Sequence, residues 1–321
     1  MENSELIYNK NRENNSEPYK ILFTGLDGAG KTSIILTLSR ELSKIINIEP
    51  TKSVKRTSFT LLGRQISEWD LGGQKSYLIS YIKNPGKYFD NTEIAVYVID
   101  ILDKTRILES MSYLYDVVNK FKELKIKPPL NIFFHKYDPK LIKSIKIVIE
   151  KQINELKKEI QETLDYENIH YFYTSIYEPY SIMSAISEIL LELYPKSELL
   201  QKTIEEFARK LDCEGLIIID KHSIILGSYF NDNESNKLLS KTIAYFLTLN
   251  DVFTEMDLEE QKDQIMVRKS GNHYLFKPII FEESDIPYYM LILKRRNPFD
   301  LYFINKNFIT FTKIFKGIIL S

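Results

Sequence analysis

The sequence has few residues that could crosslink the fold or hold a cluster of metal ions. It contains a single cysteine, Cys213, in 321 residues, so no intrachain disulfide can form. Such low cysteine usage is typical of proteins from a reducing compartment. The four histidines are scattered and lack the spacing of zinc ligands; they are His135, His170, His222 and His273. The composition therefore argues against a disulfide scaffold and against a zinc centre.

Long apolar runs and an excess of one charge are also absent. No apolar stretch reaches the roughly 18–20 residues that cross a bilayer. The formal net charge is −1, so no global basic field favours nucleic acid as a partner. Residues 1–18 are polar and mixed in charge, which predicts a disordered head without the apolar core of a signal peptide. We expect a cytoplasmic protein with no integral membrane segment, which can be recruited to a membrane surface through partners.

Glycine is scarce overall, yet three of the 11 glycines fall between Gly25 and Ser33. This segment reads GLDGAGKTS and has the spacing G-x-x-x-x-G-K-[ST] of a phosphate-binding loop. Glycine lets the backbone wrap closely, so that successive N–H groups face phosphate oxygens. A predicted strand, Tyr19–Thr24, precedes the loop, and a predicted helix, Ser33–Ile46, adds the positive end of its dipole. A glycine-rich turn with a chance lysine would not explain this order of strand, loop and helix.

The other residues of this loop suit a phosphate chain and a magnesium ion. Lys31 can reach the β and γ phosphates, and the Thr32 hydroxyl is placed to ligate Mg²⁺. The predicted nucleotide-binding residues of the loop are Asp27, Gly28, Ala29, Gly30, Lys31, Thr32 and Ser33. The loop thus predicts a nucleoside triphosphate site but leaves the base and the purpose open.

A pair of adjacent glycines follows another predicted strand, in the segment WDLGGQ. An aspartate at the end of a strand, here Asp70, can hold Mg²⁺ through water. The Gly73 N–H can bind a γ-phosphate, and Gln74 can orient the attacking water. A tight turn with an exposed glutamine would explain the glycines but not this spacing of aspartate, glycine and glutamine. The segment therefore predicts Asp70 as a metal-site residue and Gln74 as the catalytic residue.

The identity of the base is predicted from HKYD, residues 135–138. The Asp138 carboxylate can accept hydrogen bonds from N1 and N2 of guanine, whereas adenine offers no such pair of donors. Lys136 can lay its aliphatic stem along the base. At the end of the last predicted strand of this part of the chain, a backbone N–H of Ser175 or Ile176 can meet guanine O6. GTP is therefore predicted over ATP.

Strands and helices alternate over residues 19–195, which is typical of a mostly parallel sheet with helices on both faces. The predicted strands after the first are Ser58–Leu62, Gln65–Asp70, Ala95–Asp100, Leu130–Phe134 and Tyr171–Thr174. The predicted helices between them are Lys104–Lys122, Pro139–Leu164 and Ile182–Leu193. The pattern predicts an α/β fold for this first domain.

The pattern changes near residue 196, and residues 196–321 predict a smaller α+β domain. Its predicted helices are Glu198–Leu211, Glu234–Leu249 and Asp300–Ile319. Its predicted strands form an antiparallel meander and are Gly215–Asp220, Ser223–Phe230, Gln264–Lys269, His273–Phe281 and Pro287–Lys294. No catalytic constellation is found in this part of the sequence, which indicates an interaction domain.

With these motifs assembled, residues 19–195 resemble a Ras-superfamily small GTPase and, more closely, its Rag/Gtr branch. GLDGAGKTS and WDLGGQ alone would equally suggest an Arf-like protein. HKYD favours the Rag branch, because most small GTPases have Asn where this chain has His135. TSIYEPYS (Thr174–Ser181) and NPGKYFDNTEIAVYVIDI (Asn84–Ile101) also resemble Rag sequences. The element order of residues 196–321 resembles the roadblock, longin-related domain of Rag proteins.

The resemblance implies a GTP-dependent switch. In this family a threonine at the position of Thr51 ligates Mg²⁺ and closes its loop only in the GTP state, so the predicted metal-site residues are Thr32, Thr51 and Asp70. The expected ligands are GTP or GDP with Mg²⁺. A homo- or heterodimer through the second domain is implied, together with a GAP, an exchange factor and effectors.

Two alternatives stay open at this point. The segment around Thr51, NIEPTKSVKRTSF, is closer to Arf-like sequences, which favours an Arf-like membrane-traffic GTPase. The other alternative is a scaffold that holds nucleotide without turnover. Three nearby arginines, Arg40, Arg56 and Arg64, are not in an assignable arginine-finger position. We therefore expect slow intrinsic hydrolysis, on the order of 10⁻³ per second or less.

Overall fold

The computed structural model describes residues 18–45, 47–256, 264–281, 287–295 and 297–320. The predicted polar head, residues 1–18, lies outside these residues except for Pro18. In the described part of the chain, six strands form a first sheet and five strands form a second.

The first sheet has the strand order β2-β3-β1-β4-β5-β6. Its strands are β1 (Tyr19–Thr24), β2 (Val54–Leu61), β3 (Arg64–Leu71), β4 (Thr92–Asp100), β5 (Leu130–His135) and β6 (Ile169–Thr174). Neighbouring strands run parallel except in the β2–β3 hairpin. This confirms the predicted α/β fold, and it brings the carboxyl ends of β1, β3, β4, β5 and β6 to one edge, where ligands of such sheets bind.

Seven helices accompany this sheet in the described residues. They are α1 (Lys31–Leu38), α2 (Leu42–Ile45), α3 (Lys75–Lys83), α4 (Pro85–Tyr88), α5 (Ile107–Glu123), α6 (Pro139–Thr163) and α7 (Pro179–Leu191). A 3₁₀ turn, Lys104–Arg106, precedes α5. The three helices predicted between Lys104 and Leu193 are confirmed as α5, α6 and α7, with ends that differ by a few residues.

Two features of these helices differ from the prediction. The predicted helix Ser33–Ile46 is interrupted, because Arg40 has φ 57° and cannot continue a right-handed helix. Helices α3 and α4 are not predicted by the sequence pattern. In α3 only Leu78 and Tyr81 are buried, so the periodic apolar stripe that signals a helix is too short.

The second sheet is antiparallel and has the order β8-β7-β11-β10-β9. Its strands are β7 (Gly215–Asp220), β8 (Ile225–Phe230), β9 (Ile265–Lys269), β10 (Asn272–Ile279) and β11 (Tyr288–Arg295). The predicted meander is therefore wrong, because β7 pairs with β11 instead of lying at an edge. All six residues of β7 are buried, whereas four of the five residues of β9 are exposed, which suits an interior and an edge position.

Three helices accompany the second sheet: α8 (Ser197–Lys210), α9 (Asn233–Glu255) and α10 (Leu301–Ile319). All three confirm predicted helices, and α9 extends beyond its predicted end. No helix among the described residues is long and apolar enough to cross a bilayer.

The two sheets share one hydrophobic core. A single cluster of buried side chains contains Ile182 and Ile186 of α7 together with Leu216 and Ile218 of β7. Helix α7 contacts α1 of the first domain as well as α9 and β8 of the second. The buried Ser187 hydroxyl of α7 also accepts a 2.7 Å hydrogen bond from the backbone N–H of Ile225. Removing the second domain would therefore expose an apolar face of α7.

A polar contact adds to this shared core. Arg40, just after α1, donates from Nε and Nη2 to the two carboxylate oxygens of Asp251 in α9, at 2.7 and 3.0 Å. Its Nη1 donates to the carbonyl oxygen of Lys221 at 2.8 Å and to Ser223 Oγ at 3.0 Å. Such forked, charge-assisted hydrogen bonds fix geometry as well as adding stability. Arg40 therefore ties the start of the segment that leads to Thr51 to the second domain.

We expect Arg40→Ala to lower the free energy of unfolding by about 1–3 kcal/mol, because several charge-assisted hydrogen bonds are lost. Urea unfolding can be followed by the fluorescence of Trp69, the only tryptophan of the chain. The control is Lys44→Ala, since Lys44 pairs with Glu41 at the surface and such pairs contribute at most about 1 kcal/mol. Equal stability of the two variants would show that the Arg40 contacts do not stabilise the fold.

Candidate nucleotide-binding site

The predicted phosphate-binding loop lies between β1 and α1, at the carboxyl edge of the first sheet. Gly25, Gly28 and Gly30 have φ of 134°, 72° and 102°, values that favour glycine. Gly30 is also fixed by a neighbour, because a Cβ there would lie 2.4 Å from Cδ2 of His135. The glycine spacing therefore follows from backbone conformation and from close packing.

His135 supports this loop from the end of β5. Its side chain is buried, and its Nδ1 lies 2.9 Å from Oγ1 of Thr174 at the end of β6. Burial lowers the pKa of His135 to about 4, so the ring is neutral near pH 7. The predicted nucleotide-site residue His135 thus packs against the loop backbone at Gly30 and supports it.

The three predicted metal-site residues meet at one point. Thr32 Oγ1 donates to Asp70 Oδ2 at 2.7 Å, and Thr51 Oγ1 donates to the same oxygen at 3.3 Å. The two threonine hydroxyls lie 2.9 Å apart. Among the described residues the other carboxylate oxygen, Oδ1 of Asp70, has no hydrogen-bond partner although it is buried. A buried carboxylate oxygen without a partner requires an explanation, such as an ion.

These groups fit a magnesium ion. Carboxylate and hydroxyl oxygens are ligands of hard divalent cations. Burial raises the pKa of Asp70, because the nearby hydrogen bonds and positive charges compensate its charged form only in part. Thr32, Thr51 and Asp70 would hold Mg²⁺ directly or through water.

Lys31 is held inside the loop. Its Nζ donates to the carbonyl oxygens of Gly25 and Leu26 at 2.9 and 2.8 Å. Burial lowers the pKa of Lys31 to about 8, while the nearby Asp70 carboxylate opposes that shift. The ammonium is thus a buried positive charge beside the metal-site residues, where phosphate oxygens are predicted.

The WDLGGQ segment contacts both the loop and the Thr51 segment. Gly72 N donates to the Ser53 carbonyl oxygen at 2.7 Å, and Asp27 N donates to the Gly73 carbonyl oxygen at 3.0 Å. A Cβ on Gly73 would lie 2.1 Å from Asp27 N, so only glycine allows this approach. Gln74 follows as the residue before α3. Three segments predicted to sense phosphate are therefore in direct backbone contact.

The residues predicted for the base lie at the ends of β5 and β6. Asp138 Oδ1 accepts a 2.5 Å hydrogen bond from Ser175 Oγ, so the structure brings these two residues together. Lys136 Nζ pairs with Asp100 Oδ2 at the end of β4, at 2.6 Å. Ile176 packs its side chain against the hydrophobic core. This grouping is compatible with the predicted guanine contacts, which stay a prediction.

Sequence reasoning missed one residue of the site, Arg106. Its Nη2 lies 2.7 Å from Asp27 Oδ1, and its Nη1 donates to the Asp27 carbonyl oxygen at 3.1 Å. The two residues are 79 positions apart, so no local motif links them. Asp27 itself could have indicated such a partner, because a carboxylate in a phosphate-binding loop needs a compensating cation.

The sheet order and the phosphate-binding loop define a P-loop GTPase fold. Residues 20–247 match the family described as Gtr1/RagA G protein conserved region. The chain belongs to the Gtr1/RagA family of G proteins, which confirms the predicted family. The roadblock-like character of residues 196–321 stays a prediction.

Similar proteins include small GTPases of the Arf-like type. ADP-ribosylation factor-like protein 3 of Chlamydomonas reinhardtii is 40% identical over 119 residues, which cover 37% of this chain and 63% of that protein. Human ADP-ribosylation factor-like protein 5A is 31% identical over 126 residues, which cover 39% of this chain and 66% of that protein. The chain thus spans a little under two thirds of the length of these relatives.

Among solved structures, the Arl6 BBS3 small GTPase of Trypanosoma brucei with bound nucleotide analogue GppNp matches with a TM-score of 0.40 and 17% identity. That match covers 55% of this chain and 97% of the other.

The buried, neutral state of His135 predicts a pH dependence of stability. The unfolded residue binds a proton near pH 6.5 and the folded residue only near pH 4, so stability falls as the pH falls through this window. In the wild type, this difference in pKa should lower the free energy of unfolding by up to about 3 kcal/mol between pH 6.5 and pH 4. We expect His135→Asn to lack this loss. Chemical denaturation of wild type and variant at pH 7 and pH 4.5 measures the difference.

The control for this experiment is His170→Asn, since the His170 ring lies near the surface and hydrogen-bonds Asn168. It should keep the wild-type pH dependence. A wild-type slope in His135→Asn would mean that the ring does not stay neutral in the fold.

Proposed function

We propose that this protein is a cytoplasmic GTP-binding switch that hydrolyses GTP slowly to GDP and phosphate and requires Mg²⁺. The observation that carries the proposal is the meeting of Thr32, Thr51 and Asp70 around a buried carboxylate oxygen without a partner among the described residues. Family membership supports a G protein in general.

The residues of the site would share the work as follows. The loop N–H groups and Lys31 bind phosphate oxygens, and Asp138 accepts hydrogen bonds from the base. Bound Mg²⁺ would neutralise charge on the β and γ phosphates. Thr51 and Gly73 lie in the two segments that contact the metal site and the loop. These segments are placed to order with GTP and to relax after hydrolysis.

Slow turnover is supported by the contacts of four arginines of the first domain. Arg40 is bound to Asp251, and Arg106 is bound to Asp27. The Arg56 guanidinium lies 3.6 Å from the centroid of the Trp69 ring, and Arg64 hydrogen-bonds the hydroxyl of Tyr19. None of these four is free to stabilise charge on the γ-phosphate. An arginine supplied by a GAP would then accelerate the reaction.

We expect Gln74→Leu to lower the single-turnover rate of GTP hydrolysis at least about tenfold without changing GTP affinity, because the attacking water loses its orienting group. Phosphate release from preloaded full-length protein measures the rate. The control is Gln65→Leu, since Gln65 is exposed near the start of β3 and its side-chain amide hydrogen-bonds Thr60.

The outcomes separate the proposed switch from a scaffold without turnover. Equal rates in the two variants would remove Gln74 from catalysis. Wild-type protein that binds GTP but never releases phosphate would support the scaffold instead.

The Arf-like alternative is favoured by the identity of the first domain to Arf-like proteins. It differs from the proposed switch in requiring direct membrane attachment in the GTP state. Flotation of the GTP-loaded full-length chain with liposomes, in the absence of partners, distinguishes the two: the proposed switch stays unbound.

We further propose that the second domain pairs with a second copy or a paralogue, through β9 and the exposed face of α9. The outer edge of β8 is protected, because the Gln201 side chain of α8 hydrogen-bonds both the N–H and the carbonyl oxygen of Ser228. Among the described residues no strand pairs with the outer edge of β9. Open sheet edges are natural sites of association.

Exposed apolar side chains accompany this edge. Met266 and Val267 of β9 are more than 40% exposed. On α9, Tyr245, Leu249 and Val252 are spaced to share one face of the helix, and Tyr245 is 76% exposed. An exposed apolar helix face and an open sheet edge each suit a symmetric interface between like domains.

We expect the full-length chain to be a dimer at micromolar concentration, alone or with a paralogue, and Tyr245→Lys to make it monomeric. Light scattering after size exclusion measures the mass. The control is Tyr302→Lys, an 80% exposed tyrosine on α10, which should leave the dimer intact. A wild-type chain that stays monomeric and recovers no paralogue from its source cell would contradict the proposal.

A further inference from the structure

A negatively charged side chain lies in the loop where phosphate is expected. Asp27 follows Leu26 in the phosphate-binding loop, and its N–H donates to the Gly73 carbonyl oxygen at 3.0 Å. Since Gly73 is the predicted γ-phosphate contact, Asp27 lies on the γ-phosphate side of the loop. A carboxylate at this position would repel the γ-phosphate unless its charge is compensated and held elsewhere.

Arg106 provides that compensation. Its guanidinium binds both the side chain and the main chain of Asp27, through Nη2 to Oδ1 at 2.7 Å and Nη1 to the carbonyl oxygen at 3.1 Å. On its other side, Nε donates to Glu109 Oε2 at 2.9 Å. Hydrogen bonds to Glu109 and Asp27 raise the pKa of Arg106.

The Asp27 carboxylate is not held in place by packing, so its position depends on the ion pair with Arg106. The Asp27 side chain is 47% exposed. A cavity of about 200 Å³ borders it and is lined also by Gly28, Asp103 and Lys136. A carboxylate in such an open position can rotate once its partner is removed.

Lys31 is an alternative partner for Asp27. Asp27 attracts the Lys31 ammonium and Arg106 repels it, so all three charges lie within electrostatic range. If Arg106 were absent, the Asp27 carboxylate would be drawn toward the cation that is predicted to bind the phosphates. It would then compete with the γ-phosphate for Lys31.

We propose that Arg106 is a positioning residue that holds the Asp27 carboxylate away from the γ-phosphate and thereby sets the relative affinity for GTP and GDP. This inference rests on the proposed GTP-binding function. GDP lacks the γ-phosphate, so its affinity depends far less on where Asp27 points. Arg106 acts through Asp27 and has no assigned contact with nucleotide.

The test compares dissociation constants for GDP and for a nonhydrolysable GTP analogue, with Mg²⁺, in full-length variants. We expect Arg106→Gln to weaken the GTP analogue at least about tenfold while GDP changes less than about threefold. Asp27→Asn in the same chain should restore the affinity, because a neutral side chain of the same shape does not repel phosphate. Arg64→Gln is the matched control, since Arg64 begins β3 and hydrogen-bonds Tyr19 at the start of β1, at the other end of that strand from the phosphate-binding loop.

Equal weakening of both nucleotides, or no rescue by Asp27→Asn, would overturn the inference and leave the GTPase proposal standing. Equal loss in both nucleotides would indicate a structural role of Arg106 only. A wild-type protein that binds neither guanine nucleotide with Mg²⁺ would overturn the proposed function and this inference together.

Discussion

The site depends on one buried carboxylate, that of Asp70. One of its oxygens accepts hydrogen bonds from Thr32 at the start of α1 and from Thr51 in the segment before β2. Its other oxygen has no partner among the described residues, and burial raises the pKa of the Asp70 carboxyl group. The chain thus concentrates a negative charge that its own groups compensate only in part, and a divalent cation with phosphate would complete it. Backbone hydrogen bonds of Gly72 and Gly73 bring the WDLGGQ segment into contact with the Thr51 segment and with the phosphate-binding loop.

The second domain is coupled to this site by packing and by charge. Helix α7 contributes to a hydrophobic cluster that contains residues of both sheets, so the domains share a core. Arg40, at the end of α1, reaches Asp251 in α9 and two groups of the β7–β8 turn. The segment between Arg40 and Thr51 is therefore anchored at one end to the second domain and at the other to Asp70. Asp251 belongs to α9, which also carries part of the surface where we propose that partners bind.

The sequence predicts most of the site because phosphate and base chemistry require particular residues at short spacing. The loop glycines, the Asp70 segment and HKYD are local patterns, and the structure brings their residues to one edge of the sheet. Long-range contacts are not predictable in this way. The Arg106–Asp27 pair joins residues 79 positions apart, and the Arg40–Asp251 pair joins residues 211 apart. The pairing of β7 with β11 depends on which strands are buried on both faces, and α3 has too few buried residues to show a helical period.

The proposed GTP and Mg²⁺ site is tested most simply by the identity and metal dependence of the nucleotide bound to the purified full-length chain. Nucleotide released by denaturation can be identified by chromatography, with and without prior chelation of Mg²⁺, for wild type and for Lys31→Ala. We expect GDP or GTP in the wild type, release of this nucleotide on chelation, and no bound nucleotide in Lys31→Ala. Adenine nucleotide in the wild type, or the same guanine nucleotide content in Lys31→Ala, would contradict it.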